Sequence, residues 1–277
     1  MFKKLLIAMV LLGLLSFIWG RYIEPRQLKV SRVELLIPGL PPELDGLTIL
    51  HLSDLHEESF GPNQERQLTL VNSLAFDLVV FTGDAVDRPD GGNTQPLAQL
   101  LAGLNKPIFA VYGNHDYAHL DAVTRVYRQH GVHILANEAF PFSYNNYTLR
   151  IAGIHDPFWS RFNYMSPYLA DLDAALAQGD TEAFTILLSH SPDIIPAAQD
   201  KKLPLVLMGH THGGQVKIPL LGAPVTASGR FFAKHVQGVY QEGDTTVYIN
   251  RGLGTTGLPI RFLSPPEVAL LTLRRAD

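Results

Sequence analysis

Five short apolar runs along the chain end in polar residues of one chemical kind. Residues 47–52 lead into Ser53-Asp54-Leu55-His56, 78–81 into Thr82-Gly83-Asp84, and 108–112 into Gly113-Asn114-His115-Asp116. Likewise 184–188 lead into Ser189-His190, and 203–208 into Gly209-His210-Thr211-His212. Runs of this length, rich in Val, Ile and Leu, read as buried strands. Between them, residues 63–75, 97–104 and 121–130 carry apolar positions at helical spacing. A further helix is expected from Ser166-Pro167 towards Gln178, because a Ser cap, a first-turn Pro and Asp171 all suit a helix N-terminus. Residues 30–37, 149–154, 247–249 and 268–273 read as additional strands, the first at a sheet edge. Strands alternating with helices predict an α/β domain.

The N-terminus stands apart. Met1-Phe2-Lys3-Lys4 precedes an uncharged apolar run from Leu5 to Gly20. Counted on to Ile23, a helix there spans roughly 28 Å at about 1.5 Å per residue, enough for a bilayer core of about 30 Å. A signal peptide has an apolar region of similar length. However, bulky Phe17, Ile18 and Trp19 leave no Ala-x-Ala-like cleavage site, and Trp19 and Tyr22 suit interfacial anchoring. The expectation is an uncleaved single-pass anchor over residues 1–23, a linker with an edge strand over 24–46, and one catalytic domain over 47–277. Lys3 and Lys4 place the N-terminus inside and the catalytic domain outside the cytoplasm; Arg21, Arg26, Lys29 and Arg32 oppose that orientation.

Composition removes several alternatives. The chain has no cysteine, so disulfides and thiolate ligands are excluded. A net charge of −4 gives no general basic surface, and no nucleic-acid partner is expected.

In an open α/β sheet the carboxyl ends of the strands surround a ligand-binding crevice. Strand ends lying side by side would gather Asp54, His56, Asp84, Asn114, His115, His190, His210 and His212 at one edge. Carboxylate, amide and imidazole donors together suit borderline divalent ions. Burying such a cluster without a cation would be costly.

Five motifs occur in order: Asp-x-His (Asp54, His56), Gly-Asp-x-x-Asp (Gly83, Asp84, Asp87), Gly-Asn-His-Asp (Gly113 to Asp116), His190, and Gly-His-x-His (Gly209 to His212). At these residues the chain resembles the calcineurin-like metallophosphoesterases. It is most similar to their membrane-associated bacterial branch, through His-Thr-His-Gly-Gly-Gln and the stretch from Asn250 to Phe262. The resemblance implies two packed mixed β-sheets flanked by helices, a four-layer sandwich, here preceded by a transmembrane helix. It also implies two divalent ions (Mn, Fe or Zn), the first held by Asp54, His56, Asp84 and His212. The second would be held by Asp84, Asn114, His190 and His210, with Asp84 bridging. His115 would act on the leaving oxygen, and Asp116 either orients it or caps a turn.

The expected activity is hydrolysis of a phosphodiester, phosphomonoester or pyrophosphate bond by metal-bound hydroxide, on a phosphate-ester substrate that is lipid-linked or part of the cell envelope. A nucleotide phosphodiesterase or protein phosphatase acting on soluble substrates, and a scaffold without turnover, are the alternatives. Asp87 reads as a partner of a ligand His or as a helix-start carboxylate, and Arg88 as a phosphate contact or a solvated residue. Arg251 is expected to bind substrate, and Arg261 is a second cation for an anionic head group. Residues 158–165 and 216–232 are apolar loops that either meet lipid or fold onto their own domain. His51, His119, His130, His133 and His235 are expected to be structural or at the surface, and His155 is not expected to be a ligand.

Overall fold

A computed structural model describes residues 2–87, 92–226 and 229–276; Arg88 and the neighbouring Pro89-Asp90-Gly91 lie outside the described residues. In chain order the strands are β1 (Lys29–Ile37), β2 (Thr48–Leu52), β3 (Leu78–Phe81), β4 (Ile108–Ala110), β5 (His133–Ile134) and β6 (Glu138–Tyr144). They continue with β7 (Tyr147–Gly153), β8 (Thr185–Leu188), β9 (Leu205–Met208), β10 (Gly238–Glu242), β11 (Thr245–Ile249) and β12 (Glu267–Arg275). Two six-stranded sheets result, in the orders β1-β12-β2-β3-β4-β5 and β10-β11-β9-β8-β7-β6. Both are mixed. Strands β2 to β5 run parallel, as do β7, β8, β9 and β11. Strand β12 is antiparallel to β2, and the outer strands β6 and β10 pair antiparallel with β7 and β11.

The helices are α1 (Phe2–Ile18), α2 (Glu65–Asn72), α3 (Gln95–Ala102), α4 (Leu120–Gln129), α5 (Pro157–Phe162), α6 (Leu172–Leu176) and α7 (Ile195–Asp200). Side-chain alternation explains the layering. In β3, Leu78 and Val80 enter the core between the sheets, where they meet Ile151, Ile186 and Leu205, while Val79 and Phe81 face the opposite way onto Leu97, Leu100 and Tyr127. On the far side of the second sheet, Leu187 and Val206 pack on Ala175, Ile195 and Ala198. Each fully buried aliphatic side chain contributes about 1.5–3 kcal/mol. Strand ends fixed between such layers form a rigid base for a site, and the expected two-sheet sandwich is the observed fold.

Two local expectations differ. The helix expected from Ser166 towards Gln178 is confined to α6, and α5 forms ahead of that span. Asp156 caps α5 by accepting the N–H groups of Phe158 and Trp159, and Asp171 caps α6 by accepting that of Ala174. Asp156-Pro157 carries the same cap-then-proline signature as Ser166-Pro167, and its carboxylate is the one used. Strand β6 escapes the pattern because it is an outer strand with mostly solvated side chains, a position that tolerates its Pro141.

No side chain of α1 is buried. The helical stretch Phe2–Arg26, 25 residues, is the one helix among the described residues long and apolar enough to cross a membrane. Its base is fastened to the domain. The Arg261 N–H donates to the Gly20 carbonyl at 2.9 Å, and the Ser264 N–H donates to the Glu24 carboxylate at 2.6 Å. The Trp19 indole also donates to Glu24, at 2.8 Å. Residues 24–46 hold more than a linker, since β1 pairs with β12 along its whole length.

Candidate metal centre

Strands β2, β3 and β4 of one sheet and β8 and β9 of the other end at a common edge. Asp54, His56, Asp84, Asn114, His190, His210 and His212 meet there, all buried. Ligand atoms of Asp54, His56 and His212 lie within 4.8 Å of one another, as do those of Asp84, His190 and His210, and those of His56, Asp84 and His115. Asp84 Oδ2 stands between the two halves, 3.4 Å from His56 Nε2 and 3.2 Å from His190 Nε2. Asn114 Oδ1 is 3.2 Å from His190 Nε2. The sequence-derived ligand set is therefore brought together in full.

The backbone is bent hard to achieve this. Asp54, His56, Asp84, His210 and His212 have φ of 51°, 45°, 55°, 70° and 52°, a left-handed conformation that costs a non-glycine residue about 1–2 kcal/mol. Neighbouring hydrogen bonds hold the bends. The Asp54 N–H donates to Gly83 O at 2.9 Å, and the N–H groups of Asp84, Ala85 and Gly113 donate to the Asp116 carboxylate at 2.8–2.9 Å. Two glycines are required by space: a Cβ on Gly113 would lie 2.2 Å from Asp84 Oδ1, and one on Gly209 would lie 1.9 Å from Ser53 Oγ.

Lone pairs converge in the centre. His190 Nδ1 is 2.7 Å from the Thr82 carbonyl oxygen, to which it can only donate. In the neutral ring Nε2 is then an acceptor, yet it faces Asp84 Oδ2, Asn114 Oδ1 and, at 3.1 Å, His210 Nδ1. At His212, Nδ1 faces both the Gly254 carbonyl at 3.3 Å and an Arg261 guanidinium nitrogen at 3.4 Å, while Nε2 faces His56 Nε2 at 3.1 Å and Asp54 Oδ1 at 3.4 Å. Acceptors crowded on acceptors fit divalent cations, with backbone carbonyls fixing the ring orientations. Burial favours the neutral ring of His190, but the carboxylates of Asp84 and Asp54 hold it well above the usual imidazole range, so without a cation its Nε2 carries a proton that a divalent ion would displace. Burial, reinforced by the charge of His190, holds His210 well below the usual imidazole range, and burial with His56 does the same for His212, so both are neutral and able to ligate. Burial pushes Asp84 up, but the imidazoles of His190, His115 and His56 more than reverse it and keep the carboxylate ionised.

His115 lies at the mouth of the centre. Its Nδ1 is 2.8 Å from Asp87 Oδ1, and its backbone N–H donates to Asp84 Oδ1 at 2.8 Å. The carboxylate that meets the His115 ring is thus Asp87, whereas Asp116 is engaged by backbone amides. Arg251, expected to bind substrate, has its guanidinium bonded to Glu267 at 3.1 Å and Ser31 at 3.2 Å. Arg261 is fully buried and donates to the carbonyls of Gly252, Gly254, Arg251 and Ser264, which makes it a clamp for the stretch beside His212 and not a head-group ligand. His51 and His155 are buried outside the centre. Phe158, from the aromatic loop, packs its ring 4.7 Å from that of His210.

Comparison with known proteins agrees with this geometry. Residues 47–214 match the calcineurin-like phosphoesterase family. The chain is 32% identical over 265 residues to the uncharacterized metallophosphoesterase YkuE of Bacillus subtilis, covering 94% of this chain and 90% of that one. It is 30% identical over 323 residues to the UDP-2,3-diacylglucosamine pyrophosphatase LpxG of Chlamydia muridarum, covering 96% and 95%. An uncharacterized metallophosphoesterase of Aquifex aeolicus is 34% identical over 276 residues, covering 96% and 97%. The strand-end donor set and these full-length matches lead to one conclusion: the chain belongs to the calcineurin-like phosphoesterases and is a metal-dependent hydrolase of phosphoric ester bonds.

Proposed function

We propose that the chain is a membrane-anchored hydrolase that uses two divalent ions to cleave a phosphodiester or pyrophosphate bond in a lipid-linked substrate. Asp54, His56, Asp84 and His212 would hold one ion, and Asp84, Asn114, His190 and His210 the other. When bound, the ions supply Lewis acidity that activates water and neutralises phosphoryl charge. The protein's own groups do the rest. Asn114 is a neutral donor and limits the negative charge facing a phosphate. His115, oriented by Asp87, sits at the mouth of the centre where its ring can give a proton to a departing oxygen. Asp116 holds the amides of Asp84 and Gly113 and so positions the bridging carboxylate.

The observation that carries the lipid-linked part is the docking of the helix base. Gly20 and Glu24 bond to Arg261 and Ser264, and Arg261 in turn holds the carbonyl of Gly254, which faces His212. A leader removed on export would leave these partners unpaired, so the contacts support a retained anchor. An enzyme held at the lipid surface by residues touching the wall of its site is placed for lipid substrates. The LpxG relative, a pyrophosphatase of a diacylated sugar nucleotide by name, points the same way.

The test is turnover by the full-length chain in vesicles, comparing UDP-2,3-diacylglucosamine with bis(p-nitrophenyl) phosphate in the presence of Mn, Zn or Fe. Cleavage of the lipid with a much higher kcat/KM supports the proposal. Efficient cleavage of soluble esters with no lipid cleaved would leave only the family-level activity.

A further inference from the structure

Five large apolar side chains stand in water beside the base of the N-terminal helix. Leu220, Leu221, Phe231, Phe232 and Leu258 are each more than 60% exposed. They are not on a loop folded onto its own domain. Leu220 and Leu221 lie in a tight turn closed by Ile218 N–H donating to Gly222 O at 2.8 Å and Gly222 N–H to Ile218 O at 2.9 Å. Phe231 and Phe232 lie in a second turn, in which Thr226 N–H donates to Arg230 O at 3.0 Å and Phe232 N–H to Pro224 O at 3.1 Å.

The first turn is tied to the helix. Lys217 N–H donates to Phe262 O at 2.9 Å, and Phe262 N–H donates to Gln215 O at 2.8 Å. The next residue back, Arg261, holds the Gly20 carbonyl, and Ile260 touches Gly20. Hydrogen bonds thus link the end of the apolar helix to the 218–222 turn through one short segment, and the turn holding Phe231 and Phe232 follows it in the chain. Exposed apolar patches of this kind mark a site of association, and rigid continuity with a candidate membrane span identifies the occupant as the bilayer.

We propose that the segments 216–226, 229–232 and 258–263 form a second, interfacial membrane contact, inserting Leu220, Leu221, Phe231, Phe232 and Leu258 among lipid chains. The contact rests on the reading of Phe2–Arg26 as an anchor. Its consequence for the enzyme is positional. Phe231 lines a cavity of about 450 Å³ together with His210 and Thr211, so a membrane holding Phe231 lies against an opening that reaches the metal centre.

The absence of native cysteine makes the test direct. Full-length Leu220→Cys, Phe231→Cys and Glu182→Cys variants are labelled with an environment-sensitive fluorophore and reconstituted in phosphatidylethanolamine–phosphatidylglycerol vesicles. Glu182 precedes β8, at the end of the sheets opposite the metal centre. The expected result is a blue shift and loss of emission with a lipid-phase quencher at 220 and 231, and neither at 182. Vesicle-bound protein whose 220 and 231 probes respond like 182 overturns the contact and leaves the anchor standing. Probes shielded from water but not quenched from the lipid phase overturn it in favour of a second copy of the chain. Protein that fails to float with vesicles overturns the anchor reading and this contact with it.

Discussion

Asp87 Oδ1 lies 2.8 Å from His115 Nδ1 and 3.4 Å from His56 Nδ1, so one carboxylate faces both the proposed proton donor and a proposed metal ligand. A carboxylate in that position fixes the orientation of both rings. Asp87→Asn keeps the size and removes the charge. It is expected to lower kcat by about tenfold to a hundredfold, with some loss of metal affinity through His56 and thermal stability nearly unchanged. Steady-state kinetics beside metal analysis check this. A variant with full kcat would remove Asp87 from the mechanism.

Asp116 predicts a different phenotype. Its carboxylate accepts the N–H groups of Asp84, Ala85 and Gly113. In Asp116→Asn the amide NH2 turns a donor towards these donors and the charge is lost. At about 1.5–3 kcal/mol for each hydrogen bond to a charged group, losing one or two costs on the order of 3 kcal/mol. Denaturant unfolding of the variant should show that loss together with weaker metal retention, because the bend at Asp84 is released. Asp116→Asn with wild-type stability would show that the amides do not depend on it.

That these side chains meet at one edge was legible because each follows an apolar strand, and strand ends in an α/β sandwich converge by topology, without knowledge of side-chain packing. The pairing of His115 was less so. Asp87 and Asp116 each close one of the motifs, and only the turn at Gly113, which aims Asp116 at the backbone, separates their roles. Arg251 and Arg261 illustrate the same limit. In sequence a cation near a phosphate site looks like a ligand, but Glu267 and four backbone carbonyls claim these two, and those partners arrive from distant stretches. Outer strand β6 has no periodic signature because both its faces are mostly solvated.

Removing the metal should be felt in stability as well as activity. Five left-handed residues and a set of facing acceptors are held in one place, and a cation is what makes the arrangement favourable. Any ligand that binds only the folded state stabilises it by about 2.7 kcal/mol at a hundredfold excess over Kd. For a domain of this size that corresponds to a Tm shift of roughly 5–10 °C. Chelation of the full-length protein is expected to lower Tm by that amount, and added Mn, Zn or Fe should restore it. The ion giving the largest restoration is the best fit to the site. Identical melting with and without chelator would argue against a resident metal.

Acid should destabilise the fold through His51. Its ring is fully buried, with Nε2 2.9 Å from Thr82 Oγ1 and Nδ1 without a hydrogen-bond partner. Burial lowers its pKa from 6.5 to about 3, and burial lowers that of His155 to about 4. The unfolded chain therefore binds protons that the folded chain refuses. Stability is full above pH 6.5 and falls as pH drops from there towards about 3. For His51 alone the loss by pH 5 is roughly 2 kcal/mol. His51→Gln removes the titration while keeping a side-chain donor for Thr82, so the variant should lose less stability than the wild type between pH 7.5 and pH 5. Urea unfolding at the two pH values decides it: equal losses in both proteins would show that His51 is not what couples this fold to acid.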